Sequence, residues 1–211
     1  MSSYLRPRVP GATIFFTIRL DAGGSTLLTD EIDGLHQAVA VTQRERPFTI
    51  DAFVVLPDHL HCVWTLPEGD CEYSERWGAI KTRFTRSLRD ARRVGFHPTL
   101  AKAAGKPVGW NPTLRRSVSK VAKGDSGIWQ RRFWEHHIRD DEEYRALVEY
   151  CWLNPVKHGL AAHPLAWPYS SAHRDQRRFG WEEGGMKSHP TGRAGQTYCG
   201  SPAKPADPHS N

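Results

Sequence analysis

Apolar residues cluster in four short runs along the chain, and each run predicts a β-strand. The runs are rich in β-branched and aromatic residues and end at Gly, Pro or charged residues, as strands commonly do. They cover residues 12–20, 48–56, 59–66 and 128–139. Only Pro57 and Asp58 separate the second run from the third, which predicts a hairpin.

Three other segments carry apolar residues at helical spacing. The first runs from about residue 30 to just before Pro47, the second covers about 74–88, and the third covers 140–154 with acidic residues in its first turn. Pro155 and Gly159 are expected to mark the end of the third helix. The order β-α-β-β-α-β-α predicts an α+β fold, a ferredoxin-like split βαβ antiparallel sheet with helices packed on one face.

Two segments lack any apolar period. Residues 89–127 contain nine Lys or Arg against two Asp, and residues 184–211 contain five Gly, four Pro and three Ser. Such compositions are typical of disordered chain. The sequence therefore predicts one domain over 1–174, interrupted by a basic, disordered insertion at 89–127, and a largely disordered tail at 175–211.

The charge balance favours a polyanionic partner. The 211 residues include 29 Lys+Arg and 23 Asp+Glu, a net charge of +6 with a pI near 9.3. No apolar run reaches the ~18–20 residues of a membrane span, and the N-terminus lacks a signal-peptide pattern, so a cytoplasmic protein without a membrane partner is expected. The four cysteines show no Cys-x-x-Cys pairing, which argues against a disulfide framework.

Two histidines open the third predicted strand. Because strand side chains alternate between faces, His59 and His61 share one face, roughly 6.5–7 Å apart, while Leu60 and Cys62 face the core on the other side. That separation suits two imidazoles converging on one divalent cation. The alternative is that His59 caps the turn and His61 is an ordinary half-buried histidine.

The last predicted helix contains candidates that would complete such a site. Tyr150 and Asn154 are one turn apart on the same edge, so the Asn154 amide oxygen is a candidate third ligand and the Tyr150 hydroxyl a candidate nucleophile for a phosphodiester. A cation on the phosphate would help a phenol with an ordinary pKa of about 10 to react. Two alternatives stay open: Asn154 as a helix cap, and Tyr144 as the reactive tyrosine.

Five stretches of the sequence are long enough to be specific: "FFTIRL", "RPFTIDAFVVLPDHLHCVWTLPEGD", "SERWGAIKTRFTRSL", "IWQRRFWEHHIRDDEEYRALVEYCWLNPVKHGL" and "WPYSSAHR". They resemble a known family, the REP-associated tyrosine transposases, relatives of the single-tyrosine HUH transposases of insertion sequences. Tyr4, Arg6 and Arg8 also fit the N-terminus of that family. The resemblance covers roughly 1–88 and 128–174.

The resemblance implies an activity and a site. In the family, the histidine–hydrophobic–histidine motif, here His59 and His61, binds Mg²⁺ or Mn²⁺, and the catalytic tyrosine matches Tyr150. Asn154 stands where insertion-sequence relatives have Gln as a further metal ligand. The implied substrate is single-stranded DNA beside palindromic hairpins, cut to leave a 5′-phosphotyrosine on the enzyme and a free 3′-hydroxyl. The implied fold is again ferredoxin-like.

Basic and aromatic residues are candidate DNA contacts. Trp129, Phe133 and Trp134 are candidate stacking platforms whose alternative role is core packing, and alternation allows only one of His136 and His137 to approach the metal. The candidate basic contacts are Arg6, Arg8, Lys81, Arg83, Arg86, Arg131, Arg132, Arg139 and Lys157.

Two other functions compete with the endonuclease hypothesis. One is a non-catalytic protein that binds hairpin DNA or RNA with a degenerate nuclease site. The other is a zinc-dependent hydrolase of small molecules, which the missing Asp or Glu at ligand spacing makes less attractive. We expect no small-molecule substrate and a monomer, with a dimer left open.

Overall fold

The computed structural model describes residues 6–93, 127–179, 181–182 and 185–186. The strands are β1 (Thr13–Arg19), β2 (Thr49–Val55), β3 (His59–Thr65), β4 (Trp134–His137), β5 (Trp181–Glu182) and β6 (Gly185–Met186). The helices are α1 (Leu27–Asp30), α2 (Ile32–Glu45), α3 (Tyr73–Arg93), α4 (Asp141–Lys157) and α5 (Ala172–Phe179), with a 3₁₀ turn at Pro164–Ala166.

The main sheet has the strand order β2-β3-β1-β4, with every neighbouring pair antiparallel. This order and the split βαβ connections confirm the predicted α+β fold. The predicted hairpin is also confirmed, because β2 and β3 pair directly across Pro57 and Asp58. Strands β5 and β6 form a separate small hairpin near the end of the described chain.

Both faces of the sheet are covered by helices, which corrects the prediction that the helices pack on one face. On one face, Phe16 and Trp64 are buried in a core with Trp77 and other residues of α2 and α3. On the other face, Val63 is buried with Trp152 and further residues of α4. The physical reason is that all seven residues of β3 are buried, so each face of the sheet must be shielded from water.

Several predicted boundaries differ from the structure. Helix α3 continues to Arg93, inside the segment predicted as a disordered insertion, and α5 crosses the boundary predicted at 174/175 with Asp175 buried. Strand β4 covers only the second part of 128–139, although Trp129 bridges to Leu20. The predicted disorder at 94–126 and after 186 concerns residues outside the described part.

Helix α4 runs through Pro155 and ends at Lys157, so Pro155 does not end it as predicted. A proline near a helix end removes only one backbone hydrogen bond, which the last turn tolerates more readily than the helix interior would. The chain leaves the helix at Gly159, whose φ of 67° is the left-handed conformation that glycine adopts without strain. Asn154 is therefore inside the helix rather than its cap. Within the described residues, no helix is both long and apolar enough to span a membrane.

Candidate functional site

The start of β3 places two histidines side by side on the face that α4 covers. The rings of His59 and His61 have centroids 5.1 Å apart and are 4% and 2% exposed. They pair across the sheet with Arg19 and Thr17 of β1. The strand alternation predicted from the sequence therefore brings both imidazoles into one buried cluster.

Each imidazole is oriented through its Nδ1 atom. Nδ1 of His59 lies 2.6 Å from Oδ1 of Asp58, and because a carboxylate only accepts, the ring nitrogen donates. Nδ1 of His61 forms a 2.9 Å hydrogen bond with Oγ1 of Thr17. A hydrogen bond at Nδ1 fixes the ring of a ligating histidine so that its Nε2 faces the metal. Both Nε2 atoms thus become the candidate metal-ligating nitrogens.

Burial favours the neutral form of His59. The pKa of His59 is lowered mainly because burial disfavours the charged imidazolium, although the Asp58 carboxylate acts in the opposite direction. A neutral imidazole is the form that binds a metal ion. Nε2 of His59 is also buried and has no hydrogen-bond partner within the described ranges.

One edge of α4 faces the two histidines. Tyr150 and His158 are eight residues apart; the Tyr150 ring lies 5.3 Å from His61, and the His158 ring lies 5.3 Å from His59. Asn154 is one turn from each of them, so it lies on the same edge of the helix. It is 1% exposed, and neither its Oδ1 nor its Nδ2 has a hydrogen-bond partner among the residues described.

These residues fit a divalent cation. A buried amide and a buried imidazole nitrogen that have no partner among the described residues are costly unless a further group satisfies them. Two histidines and one amide oxygen provide three neutral ligands and leave coordination positions for substrate oxygens. In the described part of the chain no group of three or more His, Cys, Asp or Glu side chains is placed to hold a metal, and the Asn154 amide oxygen is the candidate third ligand beside the two histidines.

The two candidate tyrosines occupy different places. Tyr150 is half-buried beside His61, and the Lys157 ammonium lies 5.6 Å from its ring centroid. The Tyr144 hydroxyl instead donates to Oδ1 of Asp51 at 3.3 Å. Asp51 also accepts a hydrogen bond from Thr65, at the opposite end of β3 from the histidines. Only Tyr150 is therefore close to the histidine pair.

Most of the predicted DNA contacts lie away from this cluster. Five basic residues are on or against α3, across the sheet from the histidines: Arg6, Arg8, Lys81, Arg83 and Arg86. Three of these have carboxylate partners, since Arg6 pairs with Glu135, Arg8 with Glu72 and Arg83 with Glu45.

The other four basic candidates are placed differently. Arg131 and Arg132 are exposed just before β4, and Arg139 follows β4 with its backbone N–H bound to Glu143. Lys157, exposed at the end of α4, is the predicted basic contact that the structure places against Tyr150.

The aromatic candidates separate by face and exposure. Trp129 is buried in the core with α3, and Phe133 is partly buried against the same core. Trp134 is exposed on the histidine face. His136 shares that face and His137 contacts Tyr73 on the other, so the predicted alternation is confirmed.

Sequence reasoning missed three residues around the site. Asp58 and Thr17 orient the histidines, and His158 contacts His59. The position of Asp58 directly before His59 was a usable signal, because ligating histidines commonly bind a carboxylate. No local pattern marks Thr17 or His158, whose positions depend on strand pairing and helix packing.

Comparison with known proteins gives a consistent result. No family model matches the chain. It is 40% identical over 178 residues to the REP-associated tyrosine transposase of Escherichia coli (strain K12), covering 84% of this chain and 87% of that protein. A Haemophilus influenzae protein described as a candidate member of the same group is 39% identical over 177 residues, 83% of this chain and 88% of that protein.

A solved structure supports the same relationship. A REP-associated tyrosine transposase bound to a REP hairpin has a TM-score of 0.65 and 37% identity, over 95% of this chain and all of that one. Identity at this level across most of both chains shows common descent as well as a common fold. The chain therefore belongs to the REP-associated tyrosine transposases.

Proposed function

We propose that the protein is a metal-dependent endonuclease and strand transferase that acts on single-stranded DNA beside palindromic hairpins through a 5′-phosphotyrosine intermediate. The observation that carries this proposal is that Tyr150 of α4 lies against His61, next to His59, and that the buried Asn154 is one turn further along the same helix edge. A tyrosine beside a three-ligand cation site is the arrangement that phosphodiester attack by a phenol requires.

The metal would be held by Nε2 of His59, Nε2 of His61 and Oδ1 of Asn154. Bound Mg²⁺ or Mn²⁺ would polarise the scissile phosphate and offset its negative charge. Asp58 and Thr17 would keep the two rings in the orientation that presents Nε2. The burial of Asn154 would restrict its rotamer, which preorganises the third ligand.

Tyr150 would carry the covalent step. Its hydroxyl oxygen attacks phosphorus, the phenolic proton leaves to solvent, and the bond from phosphorus to the 3′-oxygen breaks. The 3′-oxygen takes up a proton to become a hydroxyl, and the 5′-phosphate stays on the tyrosine. Because one phosphodiester replaces another, a later 3′-hydroxyl can reverse the reaction without an external energy source.

The charge and the relatives support a DNA hairpin as partner. The net charge of +6 attracts a polyanion, and a relative of 37% identity has been solved bound to a REP hairpin. Exposed Arg131, Arg132 and Lys157 are candidates for phosphate contacts. We expect binding to weaken as salt rises, because each phosphate contact releases counterions. A cytoplasmic monomer is the expected state.

A covalent-adduct assay tests the proposal. The protein is incubated with Mn²⁺ and single strands carrying repeated hairpins from its own genome, and a denaturing gel reports a protein–DNA band. The band should disappear in Tyr150→Phe and with chelator, and it should persist in the matched control Tyr144→Phe. A band that survives Tyr150→Phe but not Tyr144→Phe would contradict the choice of nucleophile. Tight binding without any band would favour the non-catalytic hairpin binder.

A further inference from the structure

A tryptophan is exposed on the same sheet face as the histidines. Trp134, the first residue of β4, is 48% exposed, the most exposed of the large apolar side chains in the described ranges. Its strand position pairs with Thr17, the residue that binds His61. Leaving an indole in water gives up the free energy that its burial would contribute. Packing does not account for its position, since α4 leaves it uncovered.

The plane of the Trp134 ring is held by its neighbours. The ring is stacked on His136 with centroids 5.7 Å apart and planes within 7°. Nε2 of His136 lies 2.6 Å from Oε1 of Glu143 in the first turn of α4. The other carboxylate oxygen of Glu143 accepts a hydrogen bond from the backbone N–H of Arg139. The backbone N–H of Glu143 donates to Oδ1 of Asp140, the residue that caps the helix. The orientation of the exposed indole is therefore fixed by its position in β4 and by His136, which is itself bound to α4.

A single ring joins Trp134 to the reactive residues. Phe15 contacts Trp134 edge to face at 5.6 Å, lies stacked at 5.6 Å from His61, and meets Tyr150 edge to face at 5.8 Å. Through these contacts the buried Phe15 ring connects the proposed nucleophile to the exposed indole. Exposed Arg131 and Arg132 precede Trp134 in the chain and add positive charge at that end.

We propose that Trp134 is the stacking platform for the base of a nucleotide flanking the scissile phosphate, and so positions the single strand for attack by Tyr150. This inference rests on the proposed function, because it assumes that DNA is cleaved at Tyr150. A strand held there must leave along the protein surface, and an exposed, oriented indole one ring away offers the flat apolar face on which bases stack. Stacking tolerates any base, so Trp134 would set strand position rather than sequence preference.

The test is a double-mutant cycle in which a substitution of Trp134 is combined with removal of a single base from the DNA. Binding to a hairpin strand that forms the adduct is measured at equilibrium in a Tyr150→Phe background, so that the strand stays intact. In that background the protein with Trp134, Trp134→Ala and the aromatic control Trp134→Phe are compared. Each is measured on the intact strand and on a set of strands that each lack one base at a different position. The melting temperature of each variant is measured alongside, because Trp134→Ala also loses the ring contacts with Phe15 and His136. Binding is compared at a temperature at which all the variants are folded.

The expected result has two parts. Trp134→Ala should bind the intact strand roughly 5- to 150-fold more weakly, and Trp134→Phe should retain most of the affinity. One abasic position next to the cleaved bond should weaken binding by the protein with Trp134 and leave Trp134→Ala unaffected. The remaining abasic positions should affect both proteins equally.

The outcomes separate this inference from the proposed function. The stacking role is overturned if Trp134→Ala binds as tightly as the parent, or if each abasic position weakens binding equally in both proteins. The endonuclease proposal is still upheld in that case, provided that the parent protein forms a covalent adduct. If the parent forms no adduct with any hairpin strand, the proposed function fails and the inference fails with it.

Discussion

Replacing Asn154 with Leu should separate the stability of the metal-free protein from its response to metal. Leu has nearly the shape of Asn, branches at the same carbon and carries no polar atoms. In the structure both polar atoms of the Asn154 side chain are buried without a partner in the described residues. Asn154→Leu should therefore stabilise the metal-free fold and remove one of the three proposed ligands.

The magnitude follows from the cost of an unsatisfied buried group, about 1–3 kcal/mol. For a protein of this size each kcal/mol corresponds to about 2–4 °C, so Asn154→Leu should melt roughly 2–12 °C higher in chelator. In the parent, Mn²⁺ at 100 times its dissociation constant should add about 2.7 kcal/mol to the free energy of unfolding. The variant should show little of this increase, because two histidines alone form an incomplete site.

The assay is thermal unfolding of both proteins in chelator and in a Mn²⁺ series. Thr42→Val is the matched control, because Thr42 is buried in α2, away from the histidines, and its hydroxyl donates to the Ala38 carbonyl. It should lower the melting temperature under all conditions and leave the Mn²⁺ shift intact. A lower melting temperature of Asn154→Leu in chelator, together with an undiminished Mn²⁺ shift, would refute both parts of the reasoning.

Three further predictions address the site, the core and the pH dependence. Asp58→Ala removes the partner of His59, so the Mn²⁺ affinity from calorimetric titration should fall about 10- to 100-fold; unchanged affinity would contradict the orienting role. Trp152→Ala should leave a cavity beneath α4 and lower the free energy of unfolding, measured in urea, by about 3–5 kcal/mol. A loss below about 1 kcal/mol would contradict this, because it would mean that the surrounding residues move in and fill the cavity. Hydrogen bonds from Arg76 lower the pKa of Asp70 in the folded protein below its usual 3.8. The ionised carboxylate therefore stabilises the fold at pH values above 3.8, and this contribution is lost as the pH falls through the lower pKa of the folded state. Melting curves of Asp70→Asn should therefore depend less on pH in the acid range, and an unchanged acid dependence would assign it to other groups.

Much of the fold follows from local patterns. The apolar runs around β1, β2 and β3 predict strands within one or two residues of their observed bounds, and the helical spacing does the same for α2. These elements are predictable because burial repeats with the period of the element itself. Strand β4 is shorter than predicted, since alternation in 128–139 does not show how much of the segment can pair with β1.

Local spacing likewise predicts part of the candidate site, and packing decides the rest. Alternation along β3 is enough to place His59 and His61 together, and a one-turn spacing is enough to place Tyr150 beside Asn154. Helical periodicity does not distinguish Tyr150 from Tyr144, because both lie along the buried side of one helix; in the sequence only the family resemblance favours Tyr150. Packing distinguishes them: α4 brings Tyr150 to His61 and Tyr144 to Asp51.

By itself the sequence determined the strands, the helices and the family, since each depends on residues close together in the chain or on similarity along it. The tertiary structure decided which helix covers the histidine face, how Tyr150 meets an imidazole some ninety residues earlier in the chain, and that Trp134 stays exposed on that face. Local periodicity shows that a face must be buried, whereas only the packed chain shows which distant residues bury it, and the site forms where those residues meet.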